Sequence, residues 1–309
     1  MSRNLTVASL FCGAGGLDIG LEKSGFKVIW ANDYEHDACE TYKMWSKATV
    51  VEGDIKTIRS EEIPEVDVIA GGFPCQPFSL AGARKLDDTR NQLYKEFVRV
   101  VADKKPKAFV GENVKGLLSM GDGEIFKCIQ QEFSDKGYRL YVKLLNAKDF
   151  EVPQDRQRVI IVGIRNDIKK EFVFPEPIEA KVSIGEVIRG KVPLDMADVC
   201  QASYSSRYMS RNRKRSWDAQ SFTIPAMAKQ VPLSPDSPDM IKVDKDVWKF
   251  GNGVTRRLSY KEAALIQTFP EDMQFFGNLV SKYKQIGNAV PVQLAYHIGK
   301  QLYAFLVNV

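Results

Sequence analysis

Over its first 165 residues the chain alternates short β-branched runs with longer amphipathic stretches, and this alternation constrains the fold more than any other feature. An amphipathic helix needs a sheet face to cover, and short apolar runs between such helices read as strands of a parallel sheet. The expected fold is α/β, a doubly wound sheet with helices on its faces. The spacing predicts strands at 5–11, 27–32, 66–71 and 108–112, another ending at Asp54, and a later pair at 140–146 and 158–165. Helices are expected from a glycine-rich turn to about residue 25, and over 37–45, 91–104 and 122–137. From Pro175 the texture changes: prolines stand at 175, 177 and 193, then at 225, 232, 235 and 238, and helical periodicity fades. It returns over 260–269 and 291–307. The expected division is one domain of 1–178 plus 279–309, and a smaller, loop-rich one of 179–278.

No apolar run approaches the roughly 20 residues a membrane span needs, and the N-terminus lacks the pattern of a signal peptide. A cytoplasmic protein with no membrane partner is expected. The five cysteines (Cys12, Cys39, Cys75, Cys128 and Cys200) include no CxxC pair, and there are only two histidines, His36 and His297. No metal site and no disulfide framework are expected from that set. Net charge is +5, a mild excess of base. The basic residues Arg207, Arg211, Arg213, Lys214 and Arg215 crowd one run without an acid. That run suits phosphate and guanine contacts, or equally a solvated face. No segment stands out as a large apolar dimer face, so a monomer is expected.

Phe11-Cys12-Gly13-Ala14-Gly15-Gly16-Leu17 follows the first strand and opens the first helix. Glycines let the backbone approach a ligand there, and a helix N-terminus offers free N–H groups. Asp33 ends the second strand, where an acid holds ribose hydroxyls, and Asp54-Ile55 ends the next in a similar place. These features favour a nucleoside-containing cofactor without choosing among them. Gly71-Gly72-Phe73-Pro74-Cys75-Gln76-Pro77-Phe78-Ser79 follows a buried strand, and its prolines stiffen the turn that carries the thiol. A lone cysteine is more often a small buried hydrophobe than a nucleophile, but the flanking prolines and glycines argue against a core role. Glu112 follows another strand, and Arg156 and Arg158 alternate onto one side of an extended segment. Each alone reads equally as solvated charge. Together they place a thiol, a carboxylic acid and two cations at the ends of elements in one sheet.

Taken in order, SLFCGAGGLDIG, GGFPCQPFS, ENVKG, QDRQRVIIVG, RRLSYKEAALIQTFP and YKQIGNAVPVQLA resemble the motifs of the bacterial cytosine-5 DNA methyltransferase family, over nearly the whole chain. The resemblance implies S-adenosyl-L-methionine as cofactor, a Rossmann-like catalytic domain, and a target-recognition domain at 179–278. It implies that Phe11, Leu17 and the turn of Gly13, Ala14, Gly15 and Gly16 hold the cofactor. Asp33, Tyr34, Asp54 and Ile55 would join them, as would Pro74, Leu93, Asn288 and Ala289. Some relatives carry Glu-Trp where this chain has Asp33-Tyr34. Cys75 would add to C6 of cytosine while Glu112 donates at N3. Arg156 and Arg158 would supply positive charge to Glu112 or a target phosphate, with the division of those jobs open.

The same resemblance implies a double-stranded DNA partner and a flipped-out target base. Ser79, with Arg84 and Arg90 of a loop at 80–90 hinged at Gly82, would meet the DNA. So would Arg207, Arg211, Arg213, Arg215 and Lys229 in the second domain. YSSRYMSRNRKRSWDAQSFTIPA followed by PLSPDSPDMIKV resembles the target-recognition region of the HaeIII-type enzymes, which methylate GGCC. Lys229 stands where that type carries a guanine-contacting arginine, and lysine lacks the bidentate fork. A cognate restriction endonuclease acting on the same site, without a stable complex, is a further expectation. The alternatives are an RNA cytosine-5 methyltransferase, a catalytically silent DNA-binding regulator, and a nicotinamide-dependent oxidoreductase. The first lacks support from the arginine-rich segment, the second from the retained cysteine and glutamate, and the third from PCQ, ENV and QDRQR.

Overall fold

The computed structural model describes residues 5–74, 92–204, 213–245 and 247–309. They form two compact units: Met1–Leu145 with Gln157–Glu176 and Leu294–Val309, and Asn146–Arg156 with Pro177–Gln293. Relative to the division expected from sequence, 146–156, 177–178 and 279–293 fall in the second unit.

The first unit is built on β1 (Thr6–Leu10), β2 (Lys27–Asp33), β3 (Thr49–Glu52), β4 (Val68–Gly71) and β5 (Ala108–Val114). After them in the chain come β6 (Tyr138–Asn146), the two-residue β7 (Gln154–Asp155), which belongs to the second unit, and β8 (Gln157–Arg165). Seven of these make one sheet in the order β3-β2-β1-β4-β5-β8-β6. From β3 to β5 neighbouring strands are parallel, and β8 runs antiparallel to β5. Helices α1 (Gly16–Lys23), α2 (His36–Trp45), α3 (Gln92–Lys104) and α4 (Glu124–Asp135) connect them. The α/β doubly wound expectation is met.

The strands form where the chain is apolar on both faces: β4 is buried at every residue and β5 at all but its last. Against them packs an aromatic core in which Phe109 and Phe133 stack at 4.3 Å and Phe97 meets Phe109 edge-on at 5.8 Å. The chain leaves β1 toward β2 and β3 on one side, then returns to β4 and β5 on the other. That reversal opens a crevice at the carboxyl ends of β1 and β4, the usual ligand position in such a sheet.

The second unit holds α5 (Ile184–Ile188), β9 (Ser221–Phe222), β10 (Met240–Asp244), β11 (Val247–Phe250), α6 (Tyr260–Ile266) and α7 (Leu279–Asn288). Helix α8 (Val292–Leu306) begins here and continues into the first unit. Among the described residues its sheets have two strands each, β7 with β9 and β10 with β11. Long polar side chains replace the missing ladders. Arg257, 1% exposed, donates to the carbonyls of Lys229, Cys200, Ala202 and Ser203 and lies 3.9 Å over the Tyr204 ring. Helix α7 was not expected from the sequence; Asn278 caps it by accepting from the Ser281 N–H, and Tyr283 and Ile286 bury its inner face. No helix among the described residues is long and apolar enough to cross a membrane.

Candidate active site

Leu10 pairs with Gly71, so the segments leaving β1 and β4 start side by side. Phe11 leaves β1 at φ 55°, a left-handed conformation that phenylalanine rarely adopts, and Gly13 and Gly15 follow at 53° and 87°. This reversal brings the Gly13 N–H to Asp33 Oδ2 at 2.8 Å, while Oδ1 accepts from the Glu35 N–H at 3.0 Å. Burial pushes the Asp33 carboxyl above its usual range, opposed by those two N–H groups. A carboxylate has about four acceptor positions, so these bonds do not exhaust it.

Tyr34 beside it is 64% exposed. Its hydroxyl is pushed up to about 12 by the hydrogen bond to Glu35. Asp54 is exposed and caps a short turn through the Lys56 N–H at 3.0 Å, with Ile55 buried beneath. Ala14, Gly16 and Leu17 are buried, whereas Phe11 and Leu93 are half-buried against one core cluster. In the second unit Asn288 is exposed at the end of α7. The Ala289 carbonyl accepts from Arg156 and Gln267.

A second cluster gathers at the ends of β4 and β5. Asn113 Nδ2 donates to the Phe73 carbonyl at 2.9 Å, tying the segment after β4 to β5. A Cβ added at Gly72 would stand 3.2 Å from Glu112 Oε2, so that carboxylate lies directly over the Gly72 backbone. Arg158 faces it from β8: Nε to Glu112 Oε1 is 2.8 Å, with both side chains largely buried. Pro74, half-buried, is the last described residue before Cys75. Cys75, Ser79, Arg84, Arg90, Arg207 and Arg211 lie outside the described residues.

The two arginines do different things, against the expectation that they share one site. Arg156, 1% exposed, donates to the carbonyls of Ile224, Gly287 and Ala289 in the second unit. Beside it Gln154 Nε2 donates to Gln267 Oε1, and Gln267 Nε2 to the Ile286 and Ala289 carbonyls. Alternation put both arginines on one side of a strand, but the break between β7 and β8 falls at Arg156 itself. Among the remaining basic candidates, Arg215 lies 4.1 Å over the Phe222 ring, Arg213 is half-buried, and Lys229 is exposed with its carbonyl held by Arg257.

The profile of the C-5 cytosine-specific DNA methylase family matches residues 5–304. The chain belongs to that family. It is a DNA cytosine-5 methyltransferase that acts on DNA with S-adenosyl-L-methionine as methyl donor. The methylase is 44% identical to Type II methyltransferase M.FnuDI of Fusobacterium nucleatum over 323 residues, covering 96% of this chain and 94% of that protein. It is 42% identical to Type II methyltransferase M.BspRI of Lysinibacillus sphaericus, over 99% and 83% of the two chains. Its fold matches the structure of the Entamoeba histolytica methyltransferase EhMeth with a TM-score of 0.77 at 18% identity, over 98% and 99% of the chains.

The turn suits a nucleoside sulfonium. Space over Gly13 is open, since an added Cβ would meet nothing within 4 Å. An acid and an exposed aromatic ring stand at the adjoining strand end. Among the described residues one histidine–glutamate group has metal-like spacing, His36, Glu40 and Glu52. It is a pair of surface contacts, His36 with Glu52 at 2.9 Å and Glu40 with Lys43 at 2.7 Å. Sequence reasoning missed Gln154, Gln267 and Arg257, because their partners are backbone carbonyls or residues more than a hundred positions away.

Proposed function

We propose that the methylase modifies C5 of a flipped-out cytosine in a short duplex site, with GGCC as the target and Cys75 as the nucleophile. The observation that supports this most is Glu112, fixed by Arg158 and lying over the backbone of Gly72, three residues before Cys75. Cytosine C5 is a poor nucleophile until a thiolate adds at C6 and breaks the ring's aromaticity. Glu112, as a hydrogen-bond donor at N3, offsets the charge this addition puts on the ring. Arg158 orients Glu112, and Arg156 orders the backbone that carries Asn288 and Ala289. Phe11, the glycine turn, Asp33, Tyr34, Asp54, Pro74, Leu93 and Asn288 would hold the methyl donor, which would supply an electrophilic methyl group to C5. Loss of the C5 proton and expulsion of the Cys75 thiolate from C6 then restore the aromatic ring and free the enzyme. Rotating the base out of the stack costs a few kcal/mol, offset by contacts to the distorted strand.

In this reading 179–278 is the target-recognition domain, and Ser79, Arg84, Arg90, Arg207, Arg211, Arg213, Arg215 and Lys229 contact DNA. The enzyme works as a cytoplasmic monomer, paired functionally with a restriction endonuclease of the same specificity, as the names of its Type II relatives suggest. Transfer of labelled methyl to duplex DNA, with mapping of the modified base, tests all of this. The expected result is 5-methylcytosine at GGCC, abolished in Cys75→Ser and reduced in Glu112→Gln. Methylation at another site removes the specificity claim. Full activity in Cys75→Ser removes the mechanism, and transfer to RNA in preference to duplex DNA removes the substrate.

A further inference from the structure

Beneath the glycine turn lies a polar group that the chemistry above does not use. Asp18 stands in the first turn of α1 and is 0% exposed. Its Oδ2 accepts from the hydroxyl of Tyr42, also 0% exposed, at 2.9 Å. Tyr42 and Trp45 pack at 4.6 Å on α2, and the Trp45 indole N–H donates to the Ala14 carbonyl at 3.1 Å. The turn rests directly on these rings: a Cβ at Gly15 would stand 2.2 Å from Trp45 and 2.9 Å from Tyr42. Three contacts from α2, one to Ala14 and two against Gly15, thus hold a loop with three residues at positive φ, and Asp18 on α1 anchors the Tyr42 ring that makes one of them.

The other side of Asp18 is incomplete. Asp18 Oδ1 and the neighbouring Ser9 Oγ are both buried, and their geometry falls short of a hydrogen bond. A proton on Oδ1 would remove a charge that is buried with no cation beside it in that group. Burial pushes the Asp18 carboxyl up to about 7, opposed by the Ser9 and Tyr42 hydroxyls and reinforced by Glu22. The groups facing it are Ser9 on β1, Cys12 on the turn, Tyr42 on α2 and Glu22 one helical turn on.

We propose that Asp18, Tyr42 and Trp45 are positioning residues for the methyl donor, a buried pedestal that keeps the glycine turn in its binding shape. The neutral form of Asp18 holds the turn, and its ionisation loosens it. The proposal rests on reading this turn as the donor site.

Calorimetric binding of S-adenosyl-L-methionine to the full chain without DNA, beside thermal midpoints, tests it. Tyr42→Phe and Trp45→Phe each remove one hydrogen bond and are expected to weaken binding about 3- to 10-fold. Asp18→Ala should weaken it at least that much, and Asp18→Asn should restore it at pH 6. From pH 6 to 8.5 the wild type is expected to weaken several-fold and Asp18→Asn to weaken less, the donor's own ionisations cancelling between them. Equal slopes in the two proteins, or lowered midpoints with wild-type affinity in the α2 variants, would overturn the role. Asp33→Ala separates the two readings. Affinity lost there but kept in the pedestal variants overturns the pedestal alone; affinity kept in Asp33→Ala overturns the donor site and the pedestal with it.

Discussion

A strand such as β4 is buried at every residue, and its backbone groups are satisfied by parallel neighbours on both sides. Around Arg257 the arrangement is inverted: the backbone is irregular, and one side chain reaches four carbonyls that no ladder serves. The first solution is periodic and spreads its energy over many small contacts. The second is concentrated, so single residues there matter more. The units differ in kind, a scaffold for chemistry in one and tethered loops in the other.

The largest expected effect tests that concentration. Arg257→Met should cost at least about 4 kcal/mol, because several buried carbonyls lose their donor at once. Amide exchange should rise at 200–204 and 228–230, while the peptides of β1, β4 and β5 stay protected. Exchange rising evenly through both units would erase the distinction drawn here.

Within the scaffold, Asp18, 0% exposed, departs furthest from the rule that the interior is apolar. Asp18 ionises near 3.8 when unfolded but is pushed up to about 7 when folded. Between those values the fold binds a proton that the unfolded chain lacks, so stability falls as pH rises and levels off above about 7. Asp18→Asn lacks this loss and should be about 3 to 4 kcal/mol more stable than wild type at pH 8, with no such gain at pH 4. Denaturant midpoints at the two pH values check this; a pH-independent difference would point to packing.

That contrast also governed what the sequence could reveal. Strands β1, β2, β4 and β5 and the glycine turn were legible because apolar runs and glycines carry their signal locally. The position of Glu112 near a strand end was legible for the same reason. The division of labour between Arg156 and Arg158 was not, since it depends on Ile224, Gly287 and Ala289, far along the chain. Helix α7 was missed because its polar KYKQ run hides an inner face of only a few buried residues. A loop-rich texture predicts irregular backbone but cannot say which side chain will satisfy it.

In the proposed mechanism Arg158 is the point where the scaffold meets the chemistry. Arg158→Ala leaves Glu112 without its 2.8 Å partner and is expected to lower the methylation rate constant about 100-fold at saturating donor and DNA. Arg158→Lys should recover part of that, since a point charge lacks the guanidinium's fixed geometry. Single-turnover methyl transfer is the measurement. A loss confined to DNA affinity would assign Arg158 to the phosphate instead.

The smallest effect separates tethering arginines from reading ones inside the second unit. Arg215 is exposed and stacks on Phe222 rather than reaching into the backbone. An exposed cation–π contact is worth about 0.5 to 1 kcal/mol, so Arg215→Ala should barely move the thermal midpoint. If the side chain meets a phosphate, it should reduce the magnitude of the salt dependence of DNA binding by about one unit of slope, uniformly across sequences. If it reads a base, discrimination against altered GGCC sites should relax instead, with the salt slope kept. Either pattern, set against the collapse expected for Arg257→Met, would place the two arginines in different classes. A midpoint loss comparable to that of Arg257 would mean that exposure is a poor guide to which side chains hold this unit together.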